Sequence, residues 1–230
     1  MPTDRQDTPQ KILILGGTSE ARTLAQRLCA EGHDVTTSLA GRTVDPVLPV
    51  GAVRIGGFGG PEGLATYLRA EGFARMIDAT HPFARRISEN AIQAAAIAGV
   101  RLEQCLRPRW QKQPGDRWKP VPSLTAAADA LPAGATVFLA LGRQYLDAFQ
   151  GRSDCRFVIR MVDSPEIQLA FADHTLLLGK PASDPDREAD LFTAHGISHL
   201  VCRNSGGPAG YAKIIAARRL ALPVIIIERD

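Results

Sequence analysis

The stretch that most restricts the fold of this chain is Lys11-Ile-Leu-Ile-Leu-Gly-Gly-Thr-Ser-Glu-Ala-Arg22. A short apolar run, two glycines, two hydroxyls and an acid precede a helical hydrophobic period. That order reads as a buried strand, a tight turn and a helix whose open N-terminus can bind an anion. Gly16 and Gly17 let the backbone turn sharply and approach a phosphate with no Cβ in the way. Thr18 and Ser19 are N-cap types, and Glu20 falls in the first turn. Ala21, Leu24, Ala25, Leu28 and Cys29 follow at helical spacing, and Gly32 closes the helix. The stretch reads as the first βα unit of a nucleotide-binding fold, set against the plainer reading of a glycine turn that only joins a strand to a helix.

Strand and helix signals then alternate. His33–Leu39 is rich in β-branched residues and runs into Ala40-Gly41-Arg42-Thr43. In a dinucleotide-binding fold the end of the second strand meets the adenosine ribose, where an acid favours NAD. Here an arginine follows a glycine, so Arg42 is the candidate for the 2′-phosphate of NADP, with a solvated loop charge as the alternative. Gly56-Gly57-Phe58-Gly59-Gly60 reads either as a close backbone approach to a ligand, with Gly57 at its centre, or as a surface loop. A strand over Ala74–Ala79 ends at Thr80-His81-Pro82-Phe83, and Pro82 suits the first turn of the next helix, with Thr80 or His81 near its cap. Ligands in open α/β sheets bind outside the carboxyl ends of strands, which places Asp78, Thr80 and His81 well.

After Val100–Cys105 the composition shifts. Arg107–Trp118 is basic, irregular and bracketed by prolines and tryptophans, and reads as a crossing between domains spanning 1–108 and 109–230. The alternation then resumes. Arg143, Arg160, Lys180 and Arg203 each follow a strand-like run, so parallel strands gather them along one rim suited to a polycarboxylate. Asn204-Ser205-Gly206-Gly207 is a second glycine turn before a helix, with Tyr211 and Lys213 in its first turns. Tyr-x-Lys is not the Tyr-x-x-x-Lys spacing of short-chain dehydrogenases, so that proton relay is not carried over.

With 45% hydrophobic residues and a formal net charge of +3, the chain is of ordinary globular composition and lacks the concentrated basic character of a nucleic-acid binder. The four cysteines form no CxxC pair, which favours thiols in a reducing compartment over disulfides or a metal site. The polar first ten residues carry no hydrophobic signal core, and no apolar run approaches the ~20 residues that span a bilayer. A cytoplasmic protein without membrane or nucleic-acid partners is expected.

Taken together, Ile14-Leu-Gly-Gly-Thr-Ser-Glu-Ala-Arg22, Ile77-Asp-Ala-Thr-His-Pro-Phe83, Leu141-Gly-Arg143, Asn204-Ser-Gly-Gly207 with Tyr211-Ala-Lys213, and Leu222-Pro-Val-Ile-Ile226 resemble the precorrin-6A reductase family of cobalamin (vitamin B12) biosynthesis. The matches run from end to end and in order. The resemblance implies NADPH-dependent reduction of a C=C bond in the precorrin-6A macrocycle to give precorrin-6B. It also implies an α/β fold of two Rossmann-like subdomains with mainly parallel sheets and a cleft between them. The family commonly has lysine before Asn-Ser-Gly-Gly, where this chain has Arg203, which keeps the charge but puts a lysine-specific role in doubt.

On this reading Gly16, Gly17, Thr18, Ser19, Glu20, Arg42, Gly57 and Thr80 are expected to bind the cofactor. Arg143, Lys180, Arg203, Asn204, Ser205, Gly206 and Gly207 are expected to meet the polycarboxylate tetrapyrrole, and His81, Tyr211 and Lys213 are the candidate proton donors beside water. No metal is expected, and hand-over of the product to other enzymes of the pathway is a further expectation. A non-catalytic NADPH sensor and a tetrapyrrole methyltransferase are the rival readings.

Overall fold

The computed structural model describes residues 8–41, 46–165, 167–208 and 210–229. The chain divides into two compact units, Met1–Leu106 and Arg107–Asp230.

In the first unit the order is β1 (Lys11–Leu15), α1 (Ser19–Ala30), β2 (Asp34–Leu39), β3 (Ala52–Ile55), α2 (Pro61–Ala70), β4 (Arg75–Asp78), α3 (Arg85–Ala98) and β5 (Arg101–Gln104). The strands form one sheet in the order β3-β2-β1-β4-β5, every pair parallel. Ile14 lies opposite Thr37 on one side and Ile77 on the other. β1 is covered on both faces, which is why its sequence is an unbroken apolar run. Ile12 and Ile14 pack with Ala21, Ala25 and Leu28 of α1, while Leu13 and Leu15 pack with Leu64, Ala65 and Leu68 of α2 and Ala91, Ala94 and Ala95 of α3. The loops leaving β1 and β4 therefore serve helices on opposite faces, and a crevice opens between the carboxyl ends of those two strands.

The second unit contains β6 (Arg117–Val121), α4 (Leu124–Asp129), β7 (Thr136–Ala140), a 3₁₀ turn at Arg143–Tyr145, α5 (Asp147–Gln150), β8 (Arg156–Met161), β9 (His174–Leu178), α6 (Pro185–Ala194), β10 (His199–Arg203), α7 (Ala212–Arg219) and β11 (Pro223–Ile227). Its sheet, β6-β11-β10-β7-β8-β9, is again entirely parallel. Counted from β7 it repeats the winding of the first unit, with β6 added beyond β11. Phe138, Leu200, Cys202 and Ile226 form its core with Phe192 of α6 and Ile214, Ala216 and Ala217 of α7.

Two local expectations are corrected. The segment read as irregular up to Trp118 passes at Arg117 into β6, whose Pro120 is tolerated because β6 is an edge strand paired on one side only. The helix whose first turn is expected at Pro82 begins at Arg85 with Ala84 as N-cap and no side-chain cap, because residues 81–84 close a turn of their own in which the Ala84 amide donates to the His81 carbonyl at 2.7 Å.

Candidate functional site

The first unit builds its site where β1 and β4 diverge. The Gly16 amide donates to the Ser38 carbonyl of β2 at 2.9 Å, and a Cβ at Gly16 would stand 2.6 Å from Thr37 Cγ2, so close strand packing excludes any side chain. Gly17 has φ +103° and open space around it, which gives a bare, left-handed bend ahead of α1. Thr18 caps the helix. Its Oγ1 accepts from the Ala21 amide at 3.1 Å and donates to the Ala79 carbonyl at 2.9 Å, tying the start of α1 to the end of β4. Ser19 Oγ donates to Glu20 Oε2 at 2.9 Å. The turn thus presents bare backbone at a helix N-terminus inside the crevice, the arrangement that accepts a phosphate.

Across the crevice, Asp78 Oδ1 accepts from the Thr80 amide at 3.1 Å and the Thr80 hydroxyl at 2.7 Å, and the Thr80 hydroxyl lies 3.4 Å from Ser88 Oγ. Thr80 is therefore fastened to its own strand and to α3. His81 Nδ1 accepts from the Phe83 amide at 3.3 Å, which places the proton of a neutral ring on Nε2.

Gly57 lies outside this group in its local bonding. Arg54 donates to the carbonyls of Gly56 at 2.6 Å and Gly57 at 2.8 Å, and its guanidinium stacks 3.9 Å from the Phe58 ring. Phe58 packs on Tyr67 at 5.4 Å between centroids, against the core. The glycine run is a stapled loop whose aromatic faces inward. Arg42 lies outside the described residues.

In the second unit the sheet order places Arg203, Arg143, Arg160 and Lys180 in that sequence along one edge, at the carboxyl ends of β10, β7, β8 and β9. They are not equivalent. Arg143 and Lys180 are exposed. Arg160 forms a buried ion pair with Glu188 at 2.5 Å, and Glu188 Oε1 also accepts from the Ala182 amide at 2.9 Å. Arg160 thus serves to hold the loop after β9 and is withdrawn from the rim of cations. Arg203 stacks over the Tyr145 ring at 4.3 Å, linking the ends of β10 and β7. Burial lowers the pKa of its guanidinium and Tyr145 opposes that shift. Arg143, Gln144, Leu146, Asp147, Gln150 and residues 167–170 surround a cavity of about 530 Å³.

The Asn204–Gly207 turn is occupied by its own chain. Asn204 is buried, its Oδ1 accepting from the Trp110 amide at 2.8 Å and its Nδ2 donating to the Trp110 carbonyl at 3.2 Å. Trp110 Nε1 donates to the Gly207 carbonyl at 2.7 Å. Gly206 has φ +68°, and a Cβ there would stand 2.0 Å from the Pro108 carbonyl oxygen. Ser205 bends back, its amide donating to the Arg203 carbonyl at 2.8 Å and its hydroxyl at 3.2 Å. Sequence reasoning missed the partner: Trp110 sits in a segment whose prolines and charges carry no signal for pairing with residues far along the chain.

Of the proton-donor candidates, the Tyr211 hydroxyl accepts from Arg218 Nη2 at 3.0 Å, and Arg218 is itself held by Asp116 at 2.8 Å. Lys213 is buried, donates from Nζ to the Gly210 carbonyl at 2.6 Å and lies 4.9 Å above the Trp110 ring. Burial lowers its pKa from the usual lysine value, with Arg160 and Arg203 acting in the same direction and Cys202 and Glu188 opposing. Tyr211 and Lys213 are thus brought together around Trp110, whereas His81 belongs to the first unit.

Comparison with known proteins places these features in a family. The profile described as "Precorrin-6x reductase CbiJ/CobK" matches residues 11–230. The chain is 45% identical over 220 residues to a precorrin-6A reductase of Rhodobacter capsulatus, covering 95% of this chain and 88% of that protein. It is 48% identical over 223 residues to a precorrin-6A reductase of a Sinorhizobium species, covering 95% and 85%. Among solved structures, "CobK precorrin-6A reductase" superposes with a TM-score of 0.93 at 44% identity, covering 96% of this chain and 88% of that one.

Proposed function

The chain belongs to the precorrin-6x reductase family CbiJ/CobK, oxidoreductases of cobalamin biosynthesis that act on precorrin-6A, and from that premise we propose that its reductant is NADPH, bound by the first unit. The observation that carries this reading is the Gly16–Thr18 turn: a positive-φ glycine with open space around it, at a helix N-terminus, where β1 and β4 part. A Cβ is excluded at Gly16, and none crowds a phosphate at Gly17. Both relatives named above are reductases, and nothing in them favours a sensor or a methyltransferase.

NADPH supplies the hydride when bound, and the protein's task is to hold and orient. Gly17 and the first turn of α1 bind the pyrophosphate through backbone N–H groups, while Gly16, its own amide held by the Ser38 carbonyl, keeps that approach free of a side chain. Thr18 fixes that turn against β4, and Thr80, held by Asp78, shapes the opposite wall. Arg42 pairs with the 2′-phosphate. Arg143, Lys180 and Arg203 meet carboxylate arms of the substrate. Reduction of a C=C bond also needs a proton on the second carbon. Tyr211 and Lys213 are already engaged with Arg218 and the Gly210 carbonyl, which supports a reaction driven by positioning, with water as the proton source. Replacing His81, Tyr211 and Lys213 singly is expected to leave kcat within ~10³-fold of the parent enzyme. A larger loss at one position, with both ligands still bound, identifies that residue as an indispensable acid.

The cofactor assignment is tested at Arg42. A charged hydrogen bond of ~1.5–3 kcal/mol predicts that Arg42→Ala loses about 10–100-fold in NADPH affinity while NADH binding hardly changes. Equal losses for the two cofactors, read by fluorescence titration, remove Arg42 from the site.

A further inference from the structure

The chain's last strand delivers an arginine whose donors are not all used. Beyond Ile227, Glu228 accepts from Asn204 Nδ2 at 3.2 and 3.3 Å and lies 3.5 Å from Arg109 Nη1. Its neighbour Arg229 donates from Nη1 to the Arg107 carbonyl at 3.0 Å. The other two nitrogens, Nε and Nη2, are buried without a hydrogen-bond partner among the described residues. These two form the side edge of the guanidinium, with parallel N–H groups spaced to match two oxygens of one carboxylate. One edge of the side chain is anchored, and the bidentate edge has no partner among the described residues.

Such a group calls for an explanation, because buried N–H groups of a cation are costly when unpaired. The surroundings sharpen the point. Burial lowers the pKa of Arg229 and Arg109 adds to that effect, Arg107 acting likewise and Glu228 opposing. The position is also that of a binding edge: Arg229 follows the carboxyl end of β11, next to the end of β10, where open parallel sheets take their ligands. What lies against the edge is Gly206. A Cβ there would stand 3.3 Å from Arg229 Nη2, so bare backbone adjoins the unused nitrogens, and Gly207 beside it also has positive φ.

We propose that the Nε–Nη2 edge of Arg229 binds one carboxylate arm of the macrocyclic substrate, the Gly206–Gly207 turn shifting to admit it. This rests on the substrate named above and adds a residue to its recognition. Arg229 is a binding and specificity residue, with no part in moving hydride or proton. Planarity is essential to it, so lysine is a poor replacement.

The test is steady-state NADPH oxidation with precorrin-6A, run first on the parent enzyme. Absence of turnover there overturns the reading of the substrate and is separate from any result at Arg229. With turnover established, Arg229→Ala and Arg229→Met are expected to raise KM for precorrin-6A about 10–100-fold with kcat within roughly threefold, and to leave the NADPH dissociation constant unchanged. Arg229→Lys is expected to recover only a small part of the loss. An unchanged KM in a folded Arg229→Ala or Arg229→Met protein overturns the proposal. So does a loss confined to NADPH affinity, which would assign the edge to a cofactor phosphate. Methionine retains much of the arginine's bulk and removes the two buried N–H groups left without a partner among the described residues, so its melting temperature is expected to equal or exceed the parent's; a melting temperature that falls while KM stays constant marks a purely structural arginine.

Discussion

The hydroxyl of Thr18 makes two hydrogen bonds at once, accepting from Ala21 in the first turn of α1 and donating to the carbonyl of Ala79 beyond β4. Valine has the same shape and neither function. Thr18→Val removes an N-cap worth ~1 kcal/mol and leaves a buried carbonyl unpaired at ~1–3 kcal/mol, so a loss of about 2–4 kcal/mol is expected in denaturant unfolding. Serine keeps both bonds, and Thr18→Ser is expected to stay within about 1 kcal/mol of the parent. Equal losses for the two variants would show that the methyl group matters and the hydroxyl does not. A second residue gives a pH signature. Burial pushes the Cys202 thiol up from 9.0 to about 11, so the folded state holds its proton longer than the unfolded state does. The unfolded state therefore binds fewer protons between those values, and stability falls as pH rises from about 9 to 11, by about 3 kcal/mol if the thiol acts alone. Lys213 runs the other way: its lowered pKa means that the penalty of its buried charge is relieved as pH rises toward 10.5. Subtracting the unfolding curve of Cys202→Ala removes most of that opposing part. A difference that does not change with pH over this window would count against burial as the cause.

At the scale of elements, α2 shows why spacing alone can mislead. Gly56–Gly60 reads either as a close approach to a ligand or as a surface loop, yet a steric requirement tighter than any in that run falls on Gly63, inside the helix, where a Cβ would stand 1.8 Å from the Phe58 carbonyl oxygen. That contact lets the loop fold over the first turn and seat Phe58 beside Tyr67 and Arg54. Gly63→Ala would gain ~1 kcal/mol of helix propensity on an open helix. Here it is expected to lower stability by at least ~1–3 kcal/mol, read as a drop in melting temperature; a rise would mean that the loop moves aside freely. The same contrast explains what was legible beforehand. The buried strands were readable because burial on both faces leaves continuous apolar runs such as Ile12–Leu15 and Val224–Ile227. The Gly16-Gly17 turn was readable because its signal is local, a glycine pair between a strand and a capped helix. β6 was not, since an edge strand with Trp118, Lys119 and Pro120 carries no alternation and declares itself only through pairing with β11, about a hundred residues later. Asn204 and Arg160 looked like ligand groups for the same reason: their partners, Trp110 and Glu188, are set by topology and not by neighbouring sequence. Arg229 was overlooked because an arginine near a chain end resembles any solvated charge.

At the scale of the molecule, the two units share one winding and differ at the same place in it. In the first, the leading strand ends in a glycine pair and a twelve-residue helix with a side-chain cap. In the second, the equivalent strand β7 ends in a 3₁₀ turn followed by a four-residue helix, neither with a side-chain cap. A short, uncapped helix offers little of the aligned dipole and few of the amides that hold a phosphate. The winding alone would allow either unit to take a nucleotide, and the turn after the leading strand decides between them. What the second unit has in that place is charge: Arg143 exposed at the turn and Lys180 exposed beyond β9, on strands that all point the same way. The assignment of cofactor to the first unit and carboxylates to the second can therefore be read in the whole chain by hydrogen exchange. NADPH is expected to slow exchange in peptides covering 16–21 and 79–84 and to leave those covering 142–147 and 204–207 nearly unchanged. Precorrin-6A, added without reductant, is expected to do the reverse. Protection by NADPH at 142–147 in place of 16–21 would mean that the glycine turn only joins a strand to a helix.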